Sequence, residues 1–345
     1  MEIQCKKQHI MIMGIVACLF WCTIVAPIPV AATPSAGAGF SVHANLPENQ
    51  LNDQVSYFDL HMQPNQVQTL SVEITNTLTT PITIIVEAIS ASTNQNGIID
   101  YKTPGIQDET LRVPFSDISV VEASNILVPA NSTQTANITI TMPEDMFDGI
   151  ILGGLVFTRE MDEDTKSQTT SIKNQFNYVI GVKLSETQNL VLPQFEIIEV
   201  IPETVNYQPA FTHRIRNTQA AIVKNMSIEV SVTNEKHIVQ GTANMYGIDM
   251  APNSVMPFVV TPNDSTLKPG EYLSNIHLEH EGKTFDYQIP FTITADEADY
   301  VNDESILEKS SNVNAYLILL SITLALIVII LTVILIRKRK QQQQQ

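Results

Sequence analysis

The residue types best suited to metal chemistry come closest together at His277-Leu278-Glu279-His280. The alternation around them predicts a β-strand, in which side chains two positions apart share a face. His277 and Glu279 would then lie together while His280 points to the opposite face. A zinc site with three protein ligands therefore does not form within this segment.

A second candidate for metal chemistry resembles a calcium loop, because Asn94, Asn96 and Asp100 recur at the required spacing around Gly97. The first position of the loop lacks Asp, and Thr103 stands where a bidentate Glu is needed. Asn-Gly is instead typical of a tight β-hairpin turn. Since no serine elbow or nucleophile and base arrangement is found either, we predict a noncatalytic protein with no metal and no cofactor.

The apolar run from Ile150 to Phe157 carries two adjacent glycines, Gly153 and Gly154. Eight residues are too few to cross a bilayer, and no Lys-Ser/Thr pair follows the glycines as a phosphate loop requires. The turn at Asp148-Gly149 precedes the run. This pattern predicts a strand covered on both faces, with the glycines marking a bulge or a close backbone approach.

The two ends of the chain predict its compartment. A basic start, an apolar run and small residues predict a signal peptide over residues 1–32, cleaved between Ala32 and Ala38. The uncharged run from Ala315 to Ile336 would span about 33 Å as a helix, which is enough to cross a bilayer. The basic tail, residues 337–345, should stay cytoplasmic. We expect a single-pass protein of the cell membrane with its ectodomain in the cell wall.

Cysteine usage and charge limit the host and the partners. All three cysteines lie in the leader, so the ectodomain has no disulfide, a style more usual in Gram-positive bacterial surface proteins. The formal net charge of −17 and the lack of Lys/Arg clusters in the ectodomain exclude nucleic acid as a ligand. A neutral glycan or another protein remains as the partner.

Short alternating segments between Pro, Asn and Gly turns predict an all-β protein. The same succession of elements occurs twice, with a strand that ends in Asn at Asn76 and again at Asn217. We predict two tandem immunoglobulin-like β-sandwich domains followed by a single C-terminal transmembrane helix. The predicted segments are the sandwiches at 40–187 and 188–295, an acidic stalk at 296–314, and the helix at 315–336.

Several motifs of the ectodomain resemble those of the WxL-interacting proteins of Gram-positive bacteria. They are Tyr57-Phe58-Asp59-Leu60, Thr93-Asn94-Gln95-Asn96-Gly97 with Asp100-Tyr101, Phe147–Leu155 and Tyr178–Val182 in the first half, and Met250–Ser254 and Leu267–Tyr272 in the second. The resemblance implies an N-terminal peptidoglycan-binding sandwich and a C-terminal sandwich that binds host extracellular proteins. It also implies partners among the secreted proteins that carry a WxL wall-binding domain.

A candidate peptidoglycan surface lies around Tyr57, Asn94, Asn96, Asp100 and Tyr101, since sugars favour aromatic faces and neutral hydrogen-bonding groups. The alternative is that the tyrosines are half-buried strand residues and the asparagines shape turns.

The function that these observations predict is a noncatalytic, membrane-anchored surface protein that binds peptidoglycan and retains or scaffolds WxL-domain proteins, with possible adhesion to host proteins. An assembly factor or chaperone for secreted surface proteins is the first alternative. A cell-wall hydrolase is the second.

Overall fold

The computed structural model describes residues 38–102, 108–160, 176–305 and 321–323. Its ordered elements are almost entirely β-strands, so the all-β part of the predicted fold is confirmed. The strands form two immunoglobulin-like sandwiches in succession along the chain. The predicted signal peptide at 1–32 lies outside the described residues.

The described residues of the first sandwich form eleven strands: β1 (Phe40–Asn45), β2 (Phe58–His61), β3 (Val67–Asn76), β4 (Ile82–Ser90), β5 (Ser92–Thr93), β6 (Ile99–Asp100), β7 (Ser119–Val121), β8 (Asn125–Val128), β9 (Thr133–Thr141), β10 (Ile151–Arg159) and β11 (Asn177–Ser185). One sheet has the order β1-β3-β9-β7 and the other β2-β11-β10-β4-β8. The short strands β5 and β6 form a separate hairpin. Alternate side chains of β3, β4 and β9 are buried between the two sheets, as their period-two patterns require.

The second sandwich contains seven strands: β12 (Phe195–Val205), β13 (Gln208–Asn217), β14 (Val223–Asn234), β15 (Val239–Met250), β16 (Ser254–Val260), β17 (Gly270–His280) and β18 (Lys283–Ile293). Its sheets have the orders β12-β13-β16 and β15-β14-β17-β18. Phe211, Phe258 and Met256 from the first of these sheets pack with Ile228 and Leu278 from the second, and all five are almost fully buried.

Polar contacts join the two sandwiches. The Oγ1 atom of Thr93 lies 2.6 Å from the Oγ atom of Ser254 and accepts a hydrogen bond from the backbone N–H of Ala251. Arg216 donates from Nε to Asp108, whose carboxylate is buried, at 2.7 Å. Since Asp108 precedes β7 and Arg216 lies on β13, this buried ion pair ties the first sandwich to the second.

A ten-residue helix, α1 (Ala295–Glu304), follows β18 inside the segment expected to be a stalk. Thr294 caps it: its hydroxyl accepts from the N–H of Glu297, and the Glu297 carboxylate accepts from the N–H of Thr294. Ala298 and Val301 are buried against the second sandwich. This part of the chain is therefore packed on the domain.

The fold class was predicted to include a transmembrane helix, and this part of the prediction is wrong. In the described parts of the chain, no helix has both the length and the apolar character that a membrane crossing requires. The helix that does follow the second sandwich, α1, is about 15 Å long at 1.5 Å per residue and carries acidic side chains, so it suits a protein surface. Apart from residues 321–323, which are helical, the segment 315–336 lies outside the described residues.

Candidate functional site

The apolar run with two glycines forms β10, the strand between β4 and β11 in the middle of its sheet. Its residues pair in regular register with both neighbours, so the glycines do not mark a bulge. Each glycine instead marks a place where an aromatic side chain comes close to the backbone, and the two places lie on opposite faces of the sheet. A Cβ atom at Gly153 would overlap the ring of Phe115 inside the sandwich, and one at Gly154 would lie 2.8 Å from the ring of Tyr101 on the outer face.

Two tyrosines lie on the outer face of this sheet above a pair of glycines. Gly154 on β10 stands directly opposite Gly181 on β11. A Cβ atom at Gly181 would be 3.7 Å from the Cβ of Tyr57 and 4.0 Å from the hydroxyl oxygen of Tyr101. Because neither glycine has a side chain, the two tyrosines can settle close to the backbone and close to each other.

The tyrosines border a cleft of about 400 Å³. Its apolar surface comes from both tyrosine rings and from Ile99, Val179 and Ile222. Tyr57 remains 38% exposed, whereas Tyr101 is half-buried. Burial, followed by the nearby Tyr57, raises the pKa of the Tyr101 hydroxyl above its usual range, so this hydroxyl stays protonated at neutral pH.

Two lysines also line the cleft. Lys183 on β11 places its Nζ atom 3.1 Å from an Oδ atom of Asp59, a carboxylate that is almost fully buried. Lys224 on β14 places its Nζ atom 2.6 Å from Asp249. The cleft therefore combines an apolar aromatic surface with two lysine–aspartate ion pairs.

The structure separates the five predicted site residues into two groups. Tyr57 and Tyr101 come together at the cleft, although 44 positions separate them in the chain. The Oδ1 atom of Asn94 accepts from the backbone N–H groups of Asn96 and Ile98.

Asp100 accepts through Oδ1 from the N–H of Lys102. Asn94, Asn96 and Asp100 thus shape the hairpin of β5 and β6 and its exit, and this hairpin carries Ile99 and Tyr101 to the cleft.

A larger groove of about 740 Å³ runs over the outer face of the β15-β14-β17-β18 sheet. Its polar side chains pair across the strands: Gln288 donates to Asn275 at 3.0 Å, and the Nδ1 atom of His277 lies 2.7 Å from Asp286. The hydrogen bond with Asp286 raises the pKa of His277. His280 is buried on the other face of β17, and the described residues contain no group of three His, Cys, Asp or Glu side chains placed to hold a metal.

Comparison with protein families decides the identity of both sandwiches. Residues 40–159 match the family described as "WxL Interacting Protein, peptidoglycan binding domain", and residues 167–303 match "WxL Interacting Protein, host binding domain". The chain belongs to the WxL-interacting proteins. Both matched families are binding domains, and the predicted family membership is confirmed.

No curated protein matches the sequence of this WxL-interacting protein. Among solved structures, it is similar to the Pseudomonas aeruginosa CupB2 chaperone, with 13% identity, a TM-score of 0.27, and coverage of 64% of this chain and 91% of that chain. It is also similar to the E. coli chaperone DraB, with 12% identity, a TM-score of 0.27, and coverage of 72% of this chain and 95% of that chain. A PapD-like domain of human CEP192 gives 9%, 0.29, 48% and 97%. At these TM-scores the likeness carries no argument about function.

Sequence reasoning missed several cleft residues of this WxL-interacting protein, above all Lys183 and Lys224. A weak sign of the first is its place in Tyr178-Val179-Ile180-Gly181-Val182-Lys183, where a charge follows an otherwise apolar strand. Nothing in the sequence indicates that Lys224, from the second sandwich, reaches the same cleft.

Proposed function

We propose that this WxL-interacting protein binds peptidoglycan in the cleft between Tyr57 and Tyr101. The observation that carries the proposal is the pair of tyrosine rings seated over Gly154 and Gly181, with the face of Tyr57 partly exposed. Sugar rings present C–H groups that pack on aromatic faces, and their hydroxyl and acetamido groups need neutral hydrogen-bonding partners. Tyr57 supplies an aromatic face, and Tyr101 supplies a second face with a protonated hydroxyl.

The preformed shape of the cleft supports the same function. The strands β10 and β11 hold its floor, and the hairpin of β5 and β6 holds Tyr101 from the side. A site whose side chains are already fixed loses little conformational entropy when a ligand binds. Such a site can bind a repeating polymer with useful affinity although each contact is small.

Retention of WxL-domain surface proteins is the second part of the proposal. The family name supports such partners, and the second sandwich provides a separate module for a protein contact. A protein that grips peptidoglycan with one sandwich and a protein partner with the other raises the effective concentration of that partner at the wall. No catalytic step is needed for this role.

Co-sedimentation with purified sacculi stripped of teichoic acid tests peptidoglycan binding. We expect the full chain to bind, and we expect Tyr57→Ala and Tyr101→Ala each to weaken binding about tenfold, which corresponds to about 1.4 kcal/mol. The reason is that each substitution removes one aromatic wall of the cleft.

Tyr300→Ala is the matched control, since Tyr300 is an exposed tyrosine on α1, far along the chain from the cleft residues. The thermal midpoint of each variant shows whether the fold survives. If a folded Tyr101→Phe variant and both alanine variants sediment as the unmodified chain does, peptidoglycan does not bind in this cleft.

A further inference from the structure

The cleft is built by both sandwiches. Tyr57, Tyr101 and Lys183 belong to the first sandwich, whereas Ile222 directly precedes β14 and Lys224 lies at its start in the second. The family descriptions assign peptidoglycan binding to residues 40–159 alone. The cleft is therefore lined in part by residues outside that domain, and one of them, Lys224, is charged.

The two ion-paired lysines of the cleft have different surroundings. The ammonium group of Lys183 neutralises the buried carboxylate of Asp59, and its side chain is 29% exposed. The side chain of Lys224 is 64% exposed and donates one hydrogen bond to Asp249. An ammonium group carries three N–H donors, so Lys224 can contact an anionic ligand while it keeps Asp249.

We infer that Lys224 binds a carboxylate of the peptide stem while the tyrosines bind the adjoining sugar. This inference rests on the proposed function and narrows its ligand to a glycopeptide. The sugars of a strand that carries its stems are uncharged, because the lactyl carboxyl of each N-acetylmuramic acid is used in the amide bond to the stem, so they offer no anion to a lysine. The peptide stem brings carboxylates next to the sugar, and a carboxylate paired with an ammonium group forms a charge-assisted hydrogen bond.

A phosphate of teichoic acid offers a similar negative charge from a second source. The chain is strongly acidic, with a net charge of −17, and a long polyanion meets that field over its whole length. A single carboxylate on a glycopeptide needs only the N–H donors of Lys224 that the bond to Asp249 does not use. The carboxylate of the stem is therefore the better match.

Calorimetry with soluble, phosphate-free ligands tests the inference. We expect the full chain to bind a disaccharide that carries its peptide stem about tenfold more tightly than the same disaccharide without peptide and with its lactyl carboxylate amidated. Lys224→Met should abolish this preference, so that the variant binds the two disaccharides equally. Lys268→Met is a closely matched control, since the Nζ atom of Lys268 also lies 2.6 Å from an aspartate, Asp264, and its side chain is 68% exposed.

The outcomes separate this inference from the proposed function. Equal binding of the two disaccharides, equal binding after amidation of the stem carboxylates, or the same loss in Lys268→Met would overturn the role of Lys224. Binding to sacculi that requires teichoic acid would overturn it too. In the first three cases the tyrosine variants still decide whether peptidoglycan occupies the cleft, whereas a requirement for teichoic acid would overturn the proposed function as well.

Discussion

Gly153→Ala is expected to destabilise the protein by about 3 kcal/mol or more, the range for severe overpacking of a core. The added Cβ atom would overlap the ring of Phe115, which is fully buried. β10 cannot move away, because it is hydrogen-bonded to β4 on one side and to β11 on the other. Urea unfolding of the variant, measured against the unmodified chain, checks this expectation.

Two neighbouring glycines supply the controls. Gly181→Ala should cause no steric clash and should therefore change stability little, because the nearest atom to its Cβ would lie 3.7 Å away. Gly154→Ala adds a methyl group on the outer face, 2.8 Å from the ring of Tyr101, so it should disturb the cleft and weaken sacculus binding more than it weakens the fold. A Gly153→Ala protein as stable as Gly181→Ala would show that Phe115 moves aside at little cost.

These glycines show what a pattern in a sequence can establish about a site. The apolar run around Gly153-Gly154 predicts a strand covered on both faces, and the alternatives of a bulge or a close approach stay open at that level. Only the pairing of Gly154 with Gly181, 27 positions later, shows that the outer face accommodates two tyrosines. Such a contact depends on the register of the sheet, which composition and spacing do not specify.

The predicted sugar-binding residues show the same difference between what the sequence indicates and what only the fold reveals. Tyr57 and Tyr101 line the cleft, and Asn94 and Asn96 form the turn that the Asn-Gly pattern already indicates. Lys224 could not be assigned to the cleft, because its place there depends on how the second sandwich packs against the first.

Local chemistry could have revealed one missed element, helix α1. Thr294 and Glu297 form a capping box, and this Thr-x-x-Glu pattern is readable in the sequence. The acidic composition instead favoured a solvated stalk. Composition hides the two apolar residues, Ala298 and Val301, that attach the helix to the second sandwich.

A buried histidine makes the second sandwich sensitive to acid. His213 on β13 is fully buried, and its Nε2 atom lies 2.7 Å from the Oγ atom of Ser274 on β17, so it links the two sheets across the core. Burial lowers the pKa of His213 from 6.5 to about 4. The folded protein thus holds the imidazole neutral at pH values where the unfolded chain takes up a proton.

We expect this difference to remove about 3 kcal/mol of stability as the pH falls from 7 to 4, since one pKa unit corresponds to about 1.4 kcal/mol. The folded pKa is the lower of the two, so the stabilisation is complete above about 6.5 and is lost as the pH falls towards 4. Urea unfolding at pH 7, 5.5 and 4 measures the loss. His213→Gln removes the titrating group, so its stability should fall by about 3 kcal/mol less over this range.

The carboxylates of this acidic chain titrate in the same range, and comparison with the variant at each pH cancels their contribution. His277→Gln is the control for removal of a histidine as such. His277 is exposed and Asp286 raises its pKa, so this residue gains its charge more readily in the folded state and stabilises that state on the acid side. The His277→Gln protein should therefore lose at least as much stability as the unmodified chain between pH 7 and 4. If the His213→Gln protein loses as much stability between pH 7 and 4 as the unmodified chain does, a group other than His213 is responsible for the acid-dependent loss.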